Sequence, residues 1–360
     1  MSGRTVGAVV GVGHDDSALV RGLVEIPSLS RREGDAVEWL VQRMAERGFR
    51  ASVDDAGNAV GEIGTGARHL VLLGHIDTVP GEIPVAIEGG ELVGRGAVDA
   101  KGPLAAFVCA ATAPPPGLRV TVVGAVEEES STSAGARHRA TLPAPDWCVI
   151  GEPSGWDGVT VGYKGRLVVR LVLARTARHG AAPGPTIAEE ALALWQVLRD
   201  AAAARGGAGP ERLDCRLEGF TVGAADGLTE RAEMVVGYRI PAGLSTAEVE
   251  AGVRGVAAPE GVRLEVRTVG AEEPVRTART SPLAQAFARS IAAQGGRVSF
   301  KTKSGTSDMN VLAPAWGCPM VAYGAGDSSY DHTPMERLSL DDYARSIAVL
   351  RAVLERLAAP

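Results

Sequence analysis

The sequence has 360 residues, of which 45% are hydrophobic and 22% are charged, and its formal net charge is −6. This composition suits one large or two moderate folded domains and excludes a disordered, collagen-like or coiled-coil chain. The mildly acidic balance argues against general nucleic-acid binding. The four cysteines form no Cys-x-x-Cys pair, so a reduced, intracellular setting is favoured over a cysteine zinc site or a disulfide framework.

The start of the chain is a poor match to a signal peptide. Residues 6–12 are apolar, but the run is short, only Arg4 precedes it, and Asp15 and Asp16 follow. No later run approaches the length of a membrane span. We therefore expect a cytoplasmic protein that binds neither membrane nor nucleic acid.

The first part of the chain alternates between helical and strand patterns. Helices are predicted over 17–24, 34–48 and 102–113, and short apolar strands over 69–73, 118–126 and 146–150. Buried strands that alternate with helices indicate an α/β fold with a mixed, largely parallel sheet.

The pattern changes near Gly155. A strand over 167–174, a helix over 186–204, strands over 212–222 and 231–240, a helix from Ser245 and a strand over 262–269 follow in that order. This order is ferredoxin-like. We assign 159–271 to an inserted α+β domain. The α/β pattern resumes with a helix over 282–294, a strand over 320–323 and a helix over 341–357, so 1–158 and 272–360 form one discontinuous domain.

Several polar groups follow the apolar strands of the discontinuous domain. His75 and Asp77 come directly after the first of these strands, and alternate residues of a strand share a side. Ligands of α/β sheets bind at the carboxyl ends of strands. A carboxylate two residues from a histidine can orient the imidazole of a metal ligand. The alternative interpretation is a histidine whose hydrogen bonds are satisfied within the fold.

Acidic residues occupy comparable positions further along. The run Glu127–Glu129 and the residue Glu152 each follow a strand, while Asp99 lies in a glycine-rich segment before a helix and His332 follows the last strand. A solvated acidic loop would explain the run, and a helix cap would explain Asp99. Acids gathered at one sheet edge require a cation, however, and histidine with carboxylate suits zinc, cobalt or manganese.

These motifs together resemble the M20 metallopeptidases. The matching segments are 74–80, 94–102, 127–129, 151–153 and 331–334, in the order and rough spacing of that family. The resemblance covers nearly the whole chain. It implies a hydrolase of amide bonds with two Zn²⁺ ions per subunit, or Co²⁺ in their place. It further implies that the inserted domain is a lid through which two subunits form a homodimer.

The resemblance also implies roles for individual residues. Asp99 would bridge the two ions, with His75 and Glu152 on one ion and Glu128 and His332 on the other. Glu127 would be the general base, and Asp77 would support His75 from behind. His179 would stabilise the oxyanion, and in dimeric members of the family this histidine reaches the site of the opposite subunit.

Finer motifs resemble one branch of the family. Segments 74–84, 303–310 and 323–328 look like enzymes that release lysine or ornithine from the C-terminal glutamate of a small acidic amino-group carrier protein. That resemblance implies a role in amino-acid biosynthesis and makes the carrier a partner. Deacetylation of acetylornithine or acetyl-lysine and desuccinylation of succinyl-diaminopimelate are alternatives. A non-catalytic binding protein on the same fold is an alternative of a different class.

Substrate-binding residues are predicted in two segments. Arg239 would bind a substrate carboxylate, although the acid usual two residues earlier in the family is replaced by Gly237. Ser304, Gly305, Thr306 and Asp308 would contact the released amino acid, with Asp308 near its side-chain ammonium. The arginines that precede His179 form either a basic rim for an acidic carrier or an ordinary solvated face: Arg166, Arg170, Arg175 and Arg178.

Overall fold

A computed structural model describes residues 14–224 and 227–359 of the chain. It divides into two compact units. The first comprises Met1–Val161, Thr277–Lys301 and Val311–Pro360, and the second comprises Gly162–Arg276 and Thr302–Asn310. The second unit therefore includes Thr302–Asn310, a segment that the sequence prediction left in the discontinuous domain.

The helices and strands have the following bounds. The helices are α1 (His14–Val24), α2 (Gly34–Glu46), α3 (Lys101–Ala111), α4 (Ala134–Ala140), α5 (Ile187–Ala204), α6 (Thr246–Arg254), α7 (Pro282–Ala293), α8 (Asp308–Trp316) and α9 (Leu340–Ala358). The strands are β1 (Arg50–Val53), β2 (Ala59–Ile63), β3 (Arg68–His75), β4 (Ala86–Glu88), β5 (Glu91–Val93), β6 (Leu118–Ala125), β7 (Trp147–Gly151), β8 (Gly158–Tyr163), β9 (Gly165–Thr176), β10 (Asp214–Ala224), β11 (Thr229–Ile240), β12 (Arg263–Glu272), β13 (Val275–Arg276), β14 (Ser299–Lys303), β15 (Met320–Ala322) and β16 (Arg337–Ser339).

The main sheet is mixed, with a parallel centre. Its strands run in the order β1-β2-β6-β3-β7-β15-β8, and β3 pairs in parallel with both β6 and β7. β15 is parallel to β7 and antiparallel to β8, and the β1–β2 and β2–β6 pairs are antiparallel. The predicted α/β class with a mixed sheet is confirmed. Because four neighbouring strands are parallel, their carboxyl ends lie along one edge of the sheet.

The strand β8 was missed by the sequence prediction. All six of its residues are buried, so it shows none of the alternation between polar and apolar residues that marks a half-buried strand. The hairpin β1–β2 was missed as well, because β1 is short and mostly exposed. All three strands are identified by their pairing rather than by their own sequence.

Helix α3 fills the centre of the first unit. Every one of its residues is buried, and it packs against β3, β6, α1 and α9. A helix that contacts protein on all sides has no polar face, and its many alanines allow the neighbouring elements to approach closely. Pro103 lies in the first turn, where no backbone N–H is needed. The helix thus supports the segment that leads into it at Lys101, its first residue.

The second unit contains a four-stranded antiparallel sheet with strand order β10-β11-β9-β12. Alternate residues of β9, such as Leu167, Val169 and Leu171, are buried with Leu194 of α5 and Val249 of α6. Both helices therefore cover one face of this sheet. The side chains of Arg166 and Arg170 project from the other face.

The arginines of the second unit differ in how exposed their charges are. Arg175 has a side chain that is only 7% exposed, and it pairs with Glu190 at 2.9 Å and Glu230 at 2.6 Å. Arg170 and Glu233 are 3.1 Å apart with side chains that are 47% and 26% exposed. Arg175 is therefore part of the internal packing of this unit and does not contribute to the expected basic rim.

The two pairs predict different costs of removing the arginine. Arg175→Ala leaves two partly buried carboxylates without their partner, and we expect the free energy of unfolding to fall by about 3 kcal/mol. Arg170→Ala should lower it by less than about 1 kcal/mol, because its pair is solvent-screened. Urea denaturation of both variants measures the difference, and equal losses would contradict the assignment of Arg175 to the interior.

Candidate metal centre

The carboxyl ends of three parallel strands bring four of the predicted residues to one edge. β3 ends at His75, which is opposite Ala125 at the end of β6, and Gly74 is opposite Gly151 at the end of β7. The segment 127–129 follows β6 and Glu152 follows β7, so these acids leave the sheet next to His75. Glu152 and His75 are both buried, which places polar groups where water is scarce.

Asp99 lies between two histidines. Its Oδ1 atom is 3.2 Å from Nε2 of His75, and its Oδ2 atom is 3.0 Å from Nε2 of His332. The peptide bond that follows Asp99 is cis. Each oxygen of one buried carboxylate thus faces a different imidazole. Asp99 is not a helix cap, because α3 begins at Lys101 and the Asp99 side chain is directed at the histidines.

Glu129 completes this group. Its Oε1 atom is 2.8 Å from Nε2 of His332, and ligand atoms of His75, Asp99 and Glu129 all lie within 4.8 Å of one another. The sequence assigned this position to Glu128, so the structure places the contacting acid one residue further along. Glu128 also lies near His75, since its charge acts on that imidazole.

The carboxylate of Glu127 has other partners. It accepts a short hydrogen bond from the hydroxyl of Thr132, and the guanidinium Nε of Arg31 is 3.3 Å away. The Ser130 hydroxyl lies 3.5 Å from the same carboxylate oxygen. These contacts hold the Glu127 side chain against the loop that follows the acidic run.

The orientation of His75 is fixed from behind by Asp77. Nδ1 of His75 lies 2.9 Å from the backbone carbonyl of Asp77 and 3.5 Å from its Oδ1 atom. Because a carbonyl can only accept, Nδ1 carries the hydrogen and donates it. In the neutral imidazole Nε2 therefore presents its lone pair towards Asp99, as a metal ligand does.

The Asp77 carboxylate has a second role that the sequence did not reveal. It is fully buried and accepts hydrogen bonds from the backbone N–H groups of Glu128 and Glu129, at 3.1 and 3.0 Å, and from the Ser30 hydroxyl at 2.7 Å. Charged acceptors form strong bonds with backbone donors. Asp77 therefore fixes the loop that carries the acids as well as the histidine beside them.

The backbone is strained at two of these positions, in separate loops. Glu127 has φ of 62° and His332 has φ of 60°, in the left-handed region that residues other than glycine rarely adopt. Each such residue costs about 1–3 kcal/mol and persists only where its surroundings enforce it. Buried Glu33 does so for Glu127 by accepting its backbone N–H at 3.1 Å.

Glu336 is a further residue that the motif search missed. It is fully buried, accepts the backbone N–H groups of Val98 and Asp99 at 3.0 and 3.1 Å, and pairs with Arg95 at 2.8 Å. It thereby holds the segment that presents Asp99. The available signal was its position four residues after His332.

The charges of the group are strongly coupled. Burial raises the pKa of Asp99, but its contacts with His332 and His75 outweigh burial and hold that pKa far below its usual range. Contacts with Asp99 and Glu129 raise the pKa of His332 to about 10. Burial lowers the pKa of His75, yet contacts with Asp77 and Asp99 and the charge of Glu128 bring it well above its ordinary value.

This donor set fits a divalent metal. Two imidazole nitrogens and several carboxylates converge, and one carboxylate presents an oxygen to each side. Zinc, cobalt and manganese accept such N/O ligands. The nearby carboxylates raise the pKa values of both histidines and so favour their protonated forms, and a bound metal ion would take the place of those protons.

The residues predicted in the second unit lie in several places. His179 is exposed in the loop after β9, and its Nδ1 atom accepts the backbone N–H of Ala181 at 3.1 Å. Arg239 lies near the end of β11, with a guanidinium nitrogen 3.5 Å from the Thr306 hydroxyl. The structure thus brings Arg239 and Thr306, two of the predicted substrate residues, together.

The remaining predicted substrate residues differ in exposure. Ser304 and Gly305 are exposed in the loop between β14 and α8, whereas Asp308 is buried at the start of α8. Asn310 fixes this segment by donating to the carbonyls of Lys164 and Glu273 at 3.1 and 2.8 Å. The predicted contact of Asp308 with the released amino acid stays a prediction.

Comparison with known proteins agrees with this fold. The family model of Peptidase family M20/M25/M40 matches residues 71–356, and the chain belongs to that family. It is accordingly a metal-dependent hydrolase of amide bonds. The fold also resembles solved structures. The match to aminopeptidase PepT from Bacillus cereus has a TM-score of 0.77 at 20% identity and covers 96% of this chain and 98% of the PepT chain.

Curated relatives are similar over nearly their whole length. The [LysW]-lysine hydrolase of Deinococcus radiodurans is 44% identical over 350 residues, which are 94% of this chain and 96% of the relative. The putative [LysW]-lysine/[LysW]-ornithine hydrolase of Thermococcus kodakarensis is 40% identical, over 94% of this chain and 91% of the relative. None of the helices within the described residues is both long and apolar enough to cross a membrane.

The ligand assignment can be tested by metal content. We expect dialysed Glu129→Ala protein to lose about one metal ion per subunit, because Glu129 contacts His332. Glu127→Ala is the matched control and should keep its metal, since Glu127 contacts Arg31 and Thr132. Mass spectrometry measures the number of metal ions per subunit in each variant. If Glu129→Ala keeps all of its metal and Glu128→Ala loses an ion, Glu128 is the metal ligand and Glu129 is not.

Metal uptake should release protons. Each imidazolium must lose its proton before its nitrogen can bind a cation, and the neighbouring acids raise the pKa of His332 to about 10 and that of His75 well above its ordinary value. We expect about two protons per subunit at pH 7, and apparent metal affinity that rises with pH until it levels off near the pKa of His332. Titration of metal-free protein in weak buffer measures the release. Proton-neutral uptake would contradict this protonation state.

Proposed function

We propose that this chain hydrolyses the amide between the α-amino group of lysine or ornithine and the C-terminal glutamate side chain of a small acidic carrier protein. The observation that carries the proposal is the Asp99 carboxylate facing two histidines, in a chain 44% identical to a [LysW]-lysine hydrolase. The group of ligands supports the chemistry, and the identity over nearly the full length supports the substrate.

The proposed cofactor is a pair of Zn²⁺ ions, with Co²⁺ as the alternative. Asp99 would bridge them, with His75 and Glu152 on one ion and His332 and Glu129 on the other. When bound, the ions would supply Lewis-acid stabilisation of negative charge on the substrate oxygen. The two-sided contact of Asp99 with His75 and His332 supports a bridging position.

We assign the general base to Glu128 instead of Glu127. The Glu127 carboxylate is engaged by Thr132 and Arg31, whereas the backbone of Glu128 is fixed by Asp77 next to the ligand Glu129. A carboxylate in that position can take the proton of the attacking water and deliver it to the leaving nitrogen. The released nitrogen becomes the α-amino group of the amino acid.

The remaining roles follow the family resemblance. His179 would donate a hydrogen bond to the oxyanion, and Arg239 would bind a substrate carboxylate beside Thr306. The second unit, with two helices on one face of a β10-β11-β9-β12 sheet, would serve as the ferredoxin-like lid and homodimer domain. Of the arginines expected at a basic rim, Arg178 remains an exposed candidate for contact with an acidic carrier.

Hydrolysis of small acyl amino acids is the second candidate. Acetylornithine, acetyl-lysine and succinyl-diaminopimelate present the same amide to the same group of ligands, and the fold alone does not separate them. A non-catalytic role predicts that a ligand or the base is missing. The convergence of His75, Asp99, Glu129 and His332 supports catalysis.

The proposal predicts release of free lysine or ornithine from the carrier-linked amino acid. We expect metal-loaded protein to release it with much higher kcat/KM than it shows on acetylated or succinylated amino acids, as measured by amino-acid analysis. Glu128→Gln should keep its metal and lose at least about a hundredfold in kcat, because the proton acceptor is removed.

Two controls make this experiment decisive. Glu127→Gln should lose less than Glu128→Gln, and the reverse order would restore Glu127 as the base. Chelator treatment should abolish release, and added Zn²⁺ or Co²⁺ should restore it. Preference for a small acyl amino acid over the carrier-linked form would overturn the proposed substrate.

A further inference from the structure

A row of charged side chains crosses the sheet face of the second unit that is not covered by its helices. Arg239 of β11 lies directly opposite Arg166 of β9, and Arg166 lies opposite Glu272 of β12. The Arg166 guanidinium is 3.5 Å from the Glu272 carboxylate. Directly opposed residues share a sheet face, and like charges so placed repel each other. Arg239 therefore needs a counter-charge of its own.

The nearest residue across the other strand does not supply it. Asp214 of β10 is opposite Arg239, but its carboxylate is held by Lys164 at 2.8 Å and by Arg212 at 2.6 Å. Among the charges that act on Arg239, Arg166 and Arg216 are repulsive, and Glu218 and Glu272 are attractive. Glu272 pairs with Arg166, and Asp214 pairs with Lys164 and Arg212. Glu218 is therefore the attractive neighbour of Arg239 that takes part in neither of these pairs.

A β-bulge directs Glu218 to this row. The register of β10 against β11 shifts between Leu217 and Gly219, so Glu218 is the extra residue. Bulges redirect a side chain out of the regular alternation of a strand. The Glu218 side chain then lies over Gly237 on β11, two residues before Arg239 and on the same face.

Gly237 provides the space for the Glu218 carboxylate. A Cβ atom at position 237 would lie 2.0 Å from Oε1 and 2.5 Å from Cδ of Glu218, closer than atoms can approach. Only glycine admits the carboxylate in this position. Glu218 is exposed and forms no ion pair with any described residue, so its charge is available to a ligand.

We infer that Glu218 is a specificity-determining residue that binds the side-chain ammonium of the released amino acid, while Arg239 binds its carboxylate. This inference rests on the proposed function. The Cα atoms of positions 237 and 239, two residues apart on a strand, are separated by about 7 Å. Six bonds separate the carboxylate carbon of lysine from its ammonium nitrogen, which is also about 7 Å in an extended chain. Ornithine is one bond shorter.

The test compares two synthetic acidic peptides, each of which ends in glutamate. In one peptide the side chain of that glutamate forms an amide with the α-amino group of lysine, and in the other with the α-amino group of norleucine. Norleucine has nearly the length of lysine but lacks the ammonium. We expect wild-type, metal-loaded protein to prefer the lysine peptide in kcat/KM. Glu218→Gln should lower this preference on the order of fivefold through KM, with kcat unchanged, as expected for an exposed ion pair.

Three further variants separate this role from a loss of folding. Gly237→Ala displaces the Glu218 carboxylate and should lower the preference to a similar degree, while the double variant should lower it no further. Glu233→Gln is the control and should keep the wild-type preference, because Glu233 lies on β11 and on the same face as Gly237 and Arg239. An unchanged preference in Glu218→Gln, or additive effects in the double variant, would overturn the inference.

Binding of free lysine keeps this inference distinct from the proposed function. Calorimetry with metal-loaded protein should show weaker binding of lysine to Glu218→Gln than to wild type, and equal binding of norleucine to both. If wild type releases neither amino acid but the lysine difference persists, the proposed hydrolysis fails and the binding role stands. If release occurs and both proteins bind lysine equally, only the role of Glu218 fails.

Discussion

One carboxylate shared between two imidazoles organises the centre of this protein. Asp99 presents Oδ1 to His75 and Oδ2 to His332, although these residues come from widely separated parts of the chain. A single buried acid could not remain charged there without partners, because desolvation opposes the charged form. The surrounding elements therefore have to bring both histidines to it, and the parallel strand ends and the buried helix α3 accomplish this.

A second set of acids holds the first set in place. Asp77, Glu33 and Glu336 are all buried, and each accepts backbone N–H groups of the segments that carry the ligands. Their charges are satisfied by hydrogen bonds and by Arg95 instead of by a cation in the site. This division explains how a region rich in acids keeps only some carboxylates directed at the histidines.

The sequence predicts the class of fold and most of the residues that converge on Asp99, and it differs from the structure where the local backbone departs from regular geometry. The motif order identifies His75, Asp99 and His332 because strand ends and glycine-rich segments mark their positions. It places Glu128 beside His332, whereas the acid that contacts His332 in the structure is Glu129. Three adjacent glutamates look alike in the sequence, which does not show the left-handed turn at Glu127 or the hydrogen bonds from Glu128 and Glu129 to Asp77. Glu218 was missed for the same reason, since a β-bulge has no signature in the alternation of β10.

The position of β15 has a consequence for biosynthesis on the ribosome. This strand, at residues 320–322, lies between β7 and β8, whose residues are synthesised more than 150 positions earlier. Until it emerges, β7 and β8 lack the neighbour that joins them, and unpaired strand edges promote aggregation. The nascent chain must therefore keep two open edges protected until residues 320–322 have emerged, which makes products that terminate before them poor candidates for stable folding.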